Sequence, residues 1–279
     1  MNARVSTTHA LAATACLIGI ITLTSPARSA ERAEKPVLLY SRCYNAEGEN
    51  RYLPDGTYKE VLRRLRDEFD VRIHNQPLTR ETLAGAGVVL VANPSDKAVG
   101  ANPPPRHVTQ EDVKALTEYV VKGGGLIVMG NQENHNLEVD DLNKLLAHFG
   151  LQFTNLYTDA KKLAVPKETP VIGGLNWAYY TGNLLVPDRS HPAKPRALVT
   201  NDLNQKPVQG TRDQAGCLLA TAEPGAGRVV LITDSGWITD MALDGRGIGD
   251  VAIKEHDNWE IFRRLSRWAA HLPETDRQP

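Results

Sequence analysis

Two periodicities alternate along most of this chain. The runs Val37-Leu38-Leu39-Tyr40, Val88-Val89-Leu90-Val91-Ala92 and Leu126-Ile127-Val128-Met129 carry no polar alternation, and neither does Val229-Val230-Leu231-Ile232. That pattern belongs to strands covered on both faces, hence to a parallel sheet. Val71-Arg72-Ile73 adds a shorter strand. Between the runs, apolar residues fall at helical spacing: Tyr58, Val61, Leu62, Leu65 and Phe69; Val113, Leu116 and Val120; Leu142, Leu145, Leu146 and Phe149; Ile261, Phe262, Leu265, Trp268 and Leu272.

The punctuation agrees with this alternation. Thr57-Tyr58-Lys59-Glu60 reads as a capping box opening the first helix, Thr109 opens the next, and Asp257 stands as the N-cap of the last. Gly123-Gly124-Gly125 and Gly150 stop helices. The expected fold class is therefore α/β: a mostly parallel, doubly wound, flavodoxin-like sheet with strands at 37–40, 71–74, 88–92, 126–130 and 228–233. Residues 151–215 break into short runs between prolines and glycines and read as an irregular β insertion. Glu223-Pro224-Gly225-Ala226-Gly227 between two apolar runs is a hairpin signal.

Composition changes this picture at the ends. Residues 1–30 combine Arg4, an uncharged apolar stretch over 10–23 and small residues at Ala27 and Ala30, the layout of an export signal. The expected organisation is a leader over 1–30, one α/β domain over 35–272 and a tail over 273–279, with a periplasmic or secreted location. The apolar stretch is too short to span a bilayer, and no later run is longer. A formal net charge of −1 with interspersed signs offers no footprint for nucleic acid. Cys43 and Cys217 remain after the leader, and their pairing is open.

In an open α/β sheet ligands sit outside the carboxyl ends of the parallel strands. That rule brings Ser41, Arg42, His74, Asn93, Asn131, Gln132, Glu133, His135, Asp234, Ser235 and Trp237 toward one rim, and predicts that Asn131, Gln132 and Glu133 face Ser41, Arg42 and Asp234 across a cleft. Three readings follow. In a carbohydrate-binding site Trp237 would stack on a sugar while amides and hydroxyls bind its oxygens. In the plainer alternative Trp237 packs on the last helix and Asp234-Ser235 caps a turn. In a hydrolase or lyase, Glu133, His135 and Asp234 would be the catalytic acid and base groups. His74, Glu133, His135 and Asp234 have metal-ligand chemistry but no tight ligand spacing, so neither a metal nor any other cofactor is expected.

The segments GGGLIVMGNQ and ITDSGW…DNWEIFRRLSRW, together with the order of elements, resemble the class I glutamine amidotransferase-like superfamily, in particular its secreted bacterial branch related to trehalose-utilisation-like proteins. The resemblance covers about residues 35–271. It implies a cysteine nucleophile at the turn after the strand at 126–130 and a His-Pro-Glu segment after a late strand. This chain has Gly130-Asn131-Gln132 at the first place and Asp234-Ser235 at the second, so the thioester route has no thiolate. The resemblance also allows a structural or assembly role without catalysis. The expected partners are a carbohydrate or another secreted protein.

Overall fold

The computed structural model describes residues 1, 34–132 and 137–274. The chain divides into two units, Met1–Glu34 and Lys35–Pro279, and all the elements below belong to the second. The expected leader, Met1 apart, lies outside the described residues, as do Glu133 and His135.

Five parallel strands form the frame: β1 (Val37–Ser41), β2 (Asp70–His74), β3 (Ala86–Ala92), β4 (Gly125–Gly130) and, from much later in the chain, β11 (Arg228–Thr233). Their order is β2-β1-β3-β4-β11, the flavodoxin-like order with β11 in the fifth place. The uninterrupted apolar runs are explained by what each strand face meets. Leu38, Tyr40, Val88, Leu90, Ile127, Met129, Val230 and Ile232 bury against α1 (Lys59–Leu65) and α6 (Asn258–Ala269). Their neighbours Leu39, Val89, Val91, Leu126, Val128, Val229 and Leu231 bury against α3 (Gln110–Val121) and α4 (Asp140–Ala147), with Leu83 of the short α2 (Arg80–Leu83).

The triple glycine is required by local geometry at two of its positions. Gly123 turns the chain out of α3 at φ +116°, and a Cβ on Gly125 would stand 2.4 Å from the carbonyl oxygen of Ala269 at the end of α6. The first helix is capped differently from the sequence expectation. Thr57 Oγ1 accepts from the Tyr52 N–H, while the Glu60 N–H at the start of α1 donates to Asp240 Oδ1, a cap supplied from 180 residues away. Thr109 does close a capping box, with Asp112.

Beyond β11 the sheet becomes antiparallel. β10 (Cys217–Ala222) forms the expected hairpin with β11 and pairs on its other side with β8 (Gly182–Pro187) and β9 (Arg196–Thr200); β5 (Leu151–Thr158) pairs with β8. Part of the expected insertion therefore continues the main sheet. Among the described residues, only β6 (Lys161–Ala164) and β7 (Asn176–Tyr179) stand apart, as a two-stranded ribbon. The loop between β9 and β10 is tied to that ribbon by a buried ion pair: Lys161 Nζ meets Asp213 Oδ1 at 2.7 Å and Asn201 Oδ1 at 2.6 Å. Cys43 and Cys217 are separate buried thiols. Among the described residues no helix is long and apolar enough to cross a membrane.

Candidate functional site

Strands β4 and β11 run in register to Gly130 and Thr233, so the residues that follow, Asn131 and Asp234, emerge side by side. Both are buried, at 1% and 0% exposure. Asn131 Oδ1 accepts from the Ser235 N–H at 2.5 Å and its Nδ2 donates to the Tyr52 hydroxyl at 2.9 Å. The Asn131 N–H donates to Asn93 Oδ1 at 3.0 Å, which links the ends of β3 and β4. Asp234 Oδ2 accepts from the Tyr180 N–H at 2.8 Å, and Oδ1 accepts from the Gly236 N–H. Burial pushes the Asp234 carboxyl up to about 7, with the hydrogen bonds from Tyr180, Gly236 and Asn131 pulling the other way.

A cleft of about 560 Å³ opens above these two side chains. Its walls come from the loop after β1, at Arg51, Tyr52 and Thr57; from Tyr180; and from residues 236–250, including Asp240, Met241, Arg246 and Asp250. The two arginines are already partnered, Arg51 by Glu49 at 2.6 Å and Arg246 by Asp244 at 3.1 Å. Tyr180 is half-buried, and a hydrogen bond with the Asp250 carboxylate, aided by burial, raises its phenol pKa. The cleft thus has a mainly apolar lining into which tyrosines, carboxylates and paired guanidinium groups are set, with no excess of positive charge.

The expected rim is only partly assembled. Asn131 and Asp234 meet in the cleft as expected, whereas Ser41 and Arg42 do not line it. Ser41 is buried with no hydrogen-bond partner for its hydroxyl, and Arg42 pairs with Asp55 at 3.0 Å. His74 ends the edge strand β2, its Nε2 3.3 Å from the Pro77 carbonyl. Asn93 is buried at φ +44° between β3 and β4. Gln132 is buried with its side-chain Oε1 accepting from Thr181 Oγ1 at 3.3 Å, and the Ser235 hydroxyl is buried without a partner.

Trp237 corrects the stacking-platform reading. Its ring is fully buried, edge-on to Trp177 and Phe262 with centroids 5.8 Å away in each case, because the turn Gly236–Ile238 folds down onto α6. The plainer alternative holds: Trp237 packs on the last helix and Asp234 caps the Gly236 turn.

Tyr52, Tyr180, Asp240, Arg246 and Asp250 were not anticipated. They lie on loops whose position depends on pairings remote in sequence. The one local signal was Asp244-Gly245-Arg246-Gly247-Ile248-Gly249-Asp250, where three glycines, all at positive φ, alternate with charged and apolar residues.

Among the described residues, His107, Glu138 and Asp141 bring ligand-type atoms within 4.8 Å of one another. Glu138 is committed to the start of α4, accepting from the Asp141 and Leu142 N–H groups at 2.9 Å each, and Asp141 pairs with Lys144. That arrangement is a helix cap. A separate groove of about 680 Å³ lies between α3 and α4, lined by Val113, Lys114, Thr117, Lys144 and His148 among others.

Comparison with known proteins gives the fold a context. Residues 43–179 match the family described as the IFT52 GIFT domain. No curated protein sequence matches the chain. Among solved structures, the N-terminal domain of mmIFT52 superposes with a TM-score of 0.63 at 16% identity, covering 86% of this chain and 99% of that one. A ThuA-like protein from Bacteroides uniformis superposes at 0.53 with 15% identity, covering 88% and 95%. A β-galactosidase from Rahnella sp. R3 matches at 0.50 with 12% identity over 86% of this chain and 32% of that one. At these identities the likeness concerns the fold alone, a mostly parallel α/β sheet covered by helices.

Proposed function

We propose that this chain is an exported carbohydrate-binding accessory domain, with its ligand held in the cleft between the ends of β4 and β11 and no hydrolysis of that ligand. One observation carries the reading. At the two strand ends where an amidotransferase-like enzyme would place its nucleophile and its histidine stand Asn131 and Asp234, which direct most of their hydrogen bonds to backbone and side-chain partners within the fold. No thiol or hydroxyl nucleophile stands in their place. The cleft above them keeps the features of sugar binding: tyrosine rings beside carboxylates, with both guanidinium groups neutralised locally.

A glycan array followed by mass spectrometry of the recovered ligands tests the reading. Binding of neutral oligosaccharides that are recovered intact supports it. Absence of binding to every glycan overturns it and favours an assembly role, for which the similarity to the IFT52 domain is the support. Export rests on the reading of residues 1–30, and an N-terminus still beginning at Met1 in protein recovered outside the cytoplasm would contradict cleavage of a leader.

A second reading has its own observation. Asp234 lines the cleft and is held by burial at about 7, where a carboxyl can give or take a proton at neutral pH. Under it the chain is a hydrolase or lyase with Asp234 as acid or base, and Asp234→Asn abolishes turnover while ligand affinity stays nearly unchanged.

A further inference from the structure

The Asn131 amide fixes the direction of a hydrogen-bond donor on the cleft floor. Because its Oδ1 is taken by the Ser235 N–H, its Nδ2 is the end that faces Tyr52 and donates to the phenol oxygen. A hydroxyl that accepts in this way must aim its own proton elsewhere. The described residues give the Tyr52 hydroxyl no second partner, although the residue is 7% exposed and lines the cleft.

Asp234 stands beside this donor. The same Asn131 amide hydrogen-bonds its carboxyl, and the Asp234 charge acts on the Tyr52 phenol. The Asp234 oxygens accept from the Tyr180 and Gly236 N–H groups and from the Asn131 amide, three donors in all, which leaves one acceptor position on the carboxyl. Two side chains of opposite hydrogen-bonding sense therefore lie together, one from the loop after β1 and one from the end of β11.

Their backbones are both held in the left-handed region, Tyr52 at φ 60° and Asp234 at φ 61°, a conformation that non-glycine residues adopt only when surroundings impose it. At Tyr52 the surroundings are visible: its N–H donates to Thr57 Oγ1 and its carbonyl accepts from the Tyr40 hydroxyl. Strain of this kind, converging from two separate elements on one cleft, is characteristic of positions that hold a ligand group in place.

We propose that Tyr52 and Asp234 together recognise a vicinal diol, one ligand hydroxyl accepting from the Tyr52 O–H while its neighbour donates to the Asp234 carboxyl. The inference rests on the carbohydrate reading and narrows it to neutral pyranosides with an unmodified adjacent pair of hydroxyls, since Arg51 and Arg246 are already paired and offer no call for an anionic sugar.

Saturation-transfer NMR and calorimetry with methyl glucosides, galactosides and mannosides, and with their singly deoxygenated analogues, test it. At least one parent glycoside binds the native protein, and removing either hydroxyl of one adjacent pair weakens it about tenfold or more. Tyr52→Phe weakens the parent by a similar factor but no longer distinguishes it from the analogue that lacks the accepting hydroxyl. If a parent binds and every deoxygenated analogue binds the native protein equally well, the diol pair is overturned while the carbohydrate reading stands; equal binding by a folded Tyr52→Phe has the same meaning. If no parent binds, both fall. The analogue series on native protein decides the matter even where Tyr52→Phe fails to fold.

Discussion

The Asn131 side-chain carbonyl accepts the Ser235 backbone N–H at 2.5 Å, a bond between residues 104 apart that fastens the end of β4 to the end of β11. It fixes the orientation of the amide, and through it the direction of the Tyr52 hydroxyl.

Asn131→Ala should therefore destabilise the fold, because it strands the Ser235 N–H and removes the donor to Tyr52 in a buried place. A loss of about 1–3 kcal/mol is expected by urea denaturation, the cost of buried groups left unpaired. A stability within error of the native protein would show that the tie does not exist.

Asp234 gives a pH dependence with a defined sign. Its folded value of about 7 lies above the ordinary 3.8, so the folded state holds a proton that the unfolded state releases. Its contribution is fully present below about pH 4 and is lost as pH rises to about 7, so stability falls with rising pH across that window. Asp234→Asn removes the effect. Between pH 4 and pH 8 the native protein should lose stability relative to the variant, by up to about 4 kcal/mol. The carboxylate of Glu60, which Arg63 and Arg64 hold down near 2, acts with the opposite sign at lower pH and cancels in the comparison. Parallel pH profiles for the two proteins would contradict a buried, protonated Asp234.

The ion pair beneath the loop between β9 and β10 is asymmetric: the Lys161 side chain is 0% exposed and that of Asp213 is 20% exposed. Asp213→Ala leaves a buried ammonium with only the Asn201 and Asp202 oxygens, and should cost about 3–5 kcal/mol. Lys161→Met leaves a carboxylate that water can reach and fills the same space, so it should cost less. Equal or reversed losses in chemical denaturation would contradict the burial of Lys161.

Trp237 should matter to folding and not to ligand. Trp237→Ala removes a fully buried ring wedged against Trp177 and Phe262, at about 3–5 kcal/mol. A variant of native stability with lost sugar binding would restore the stacking role.

The parallel frame was legible because each of its central strands is apolar on both faces, a pattern no surface strand shares; the glycine-released run at 126–130 is indeed central, between β3 and β11. Asn131 and Asp234 followed from the rule that sites lie at carboxyl ends of strands. The rest was hidden in long-range pairing. β5, β8 and β9 read as irregular because their partners are remote and their ladders are broken by register shifts. The cap of α1 comes from Asp240, which no local motif announces. Trp237 looked like a rim residue because it follows a strand end, yet the turn at Gly236–Ile238 sends it inward. Tyr52 and Tyr180 reach the cleft only through the packing of loops on that frame.

Backbone amide chemical-shift mapping during titration with a neutral oligosaccharide identified on the array tests the central claim most directly. The account predicts saturable shifts centred on Tyr52, Asn131, Tyr180, Gly236 and Gly249, which border the cleft. Shifts confined to the groove at Val113, Thr117, Lys144 and His148, or no shifts at all, would contradict it.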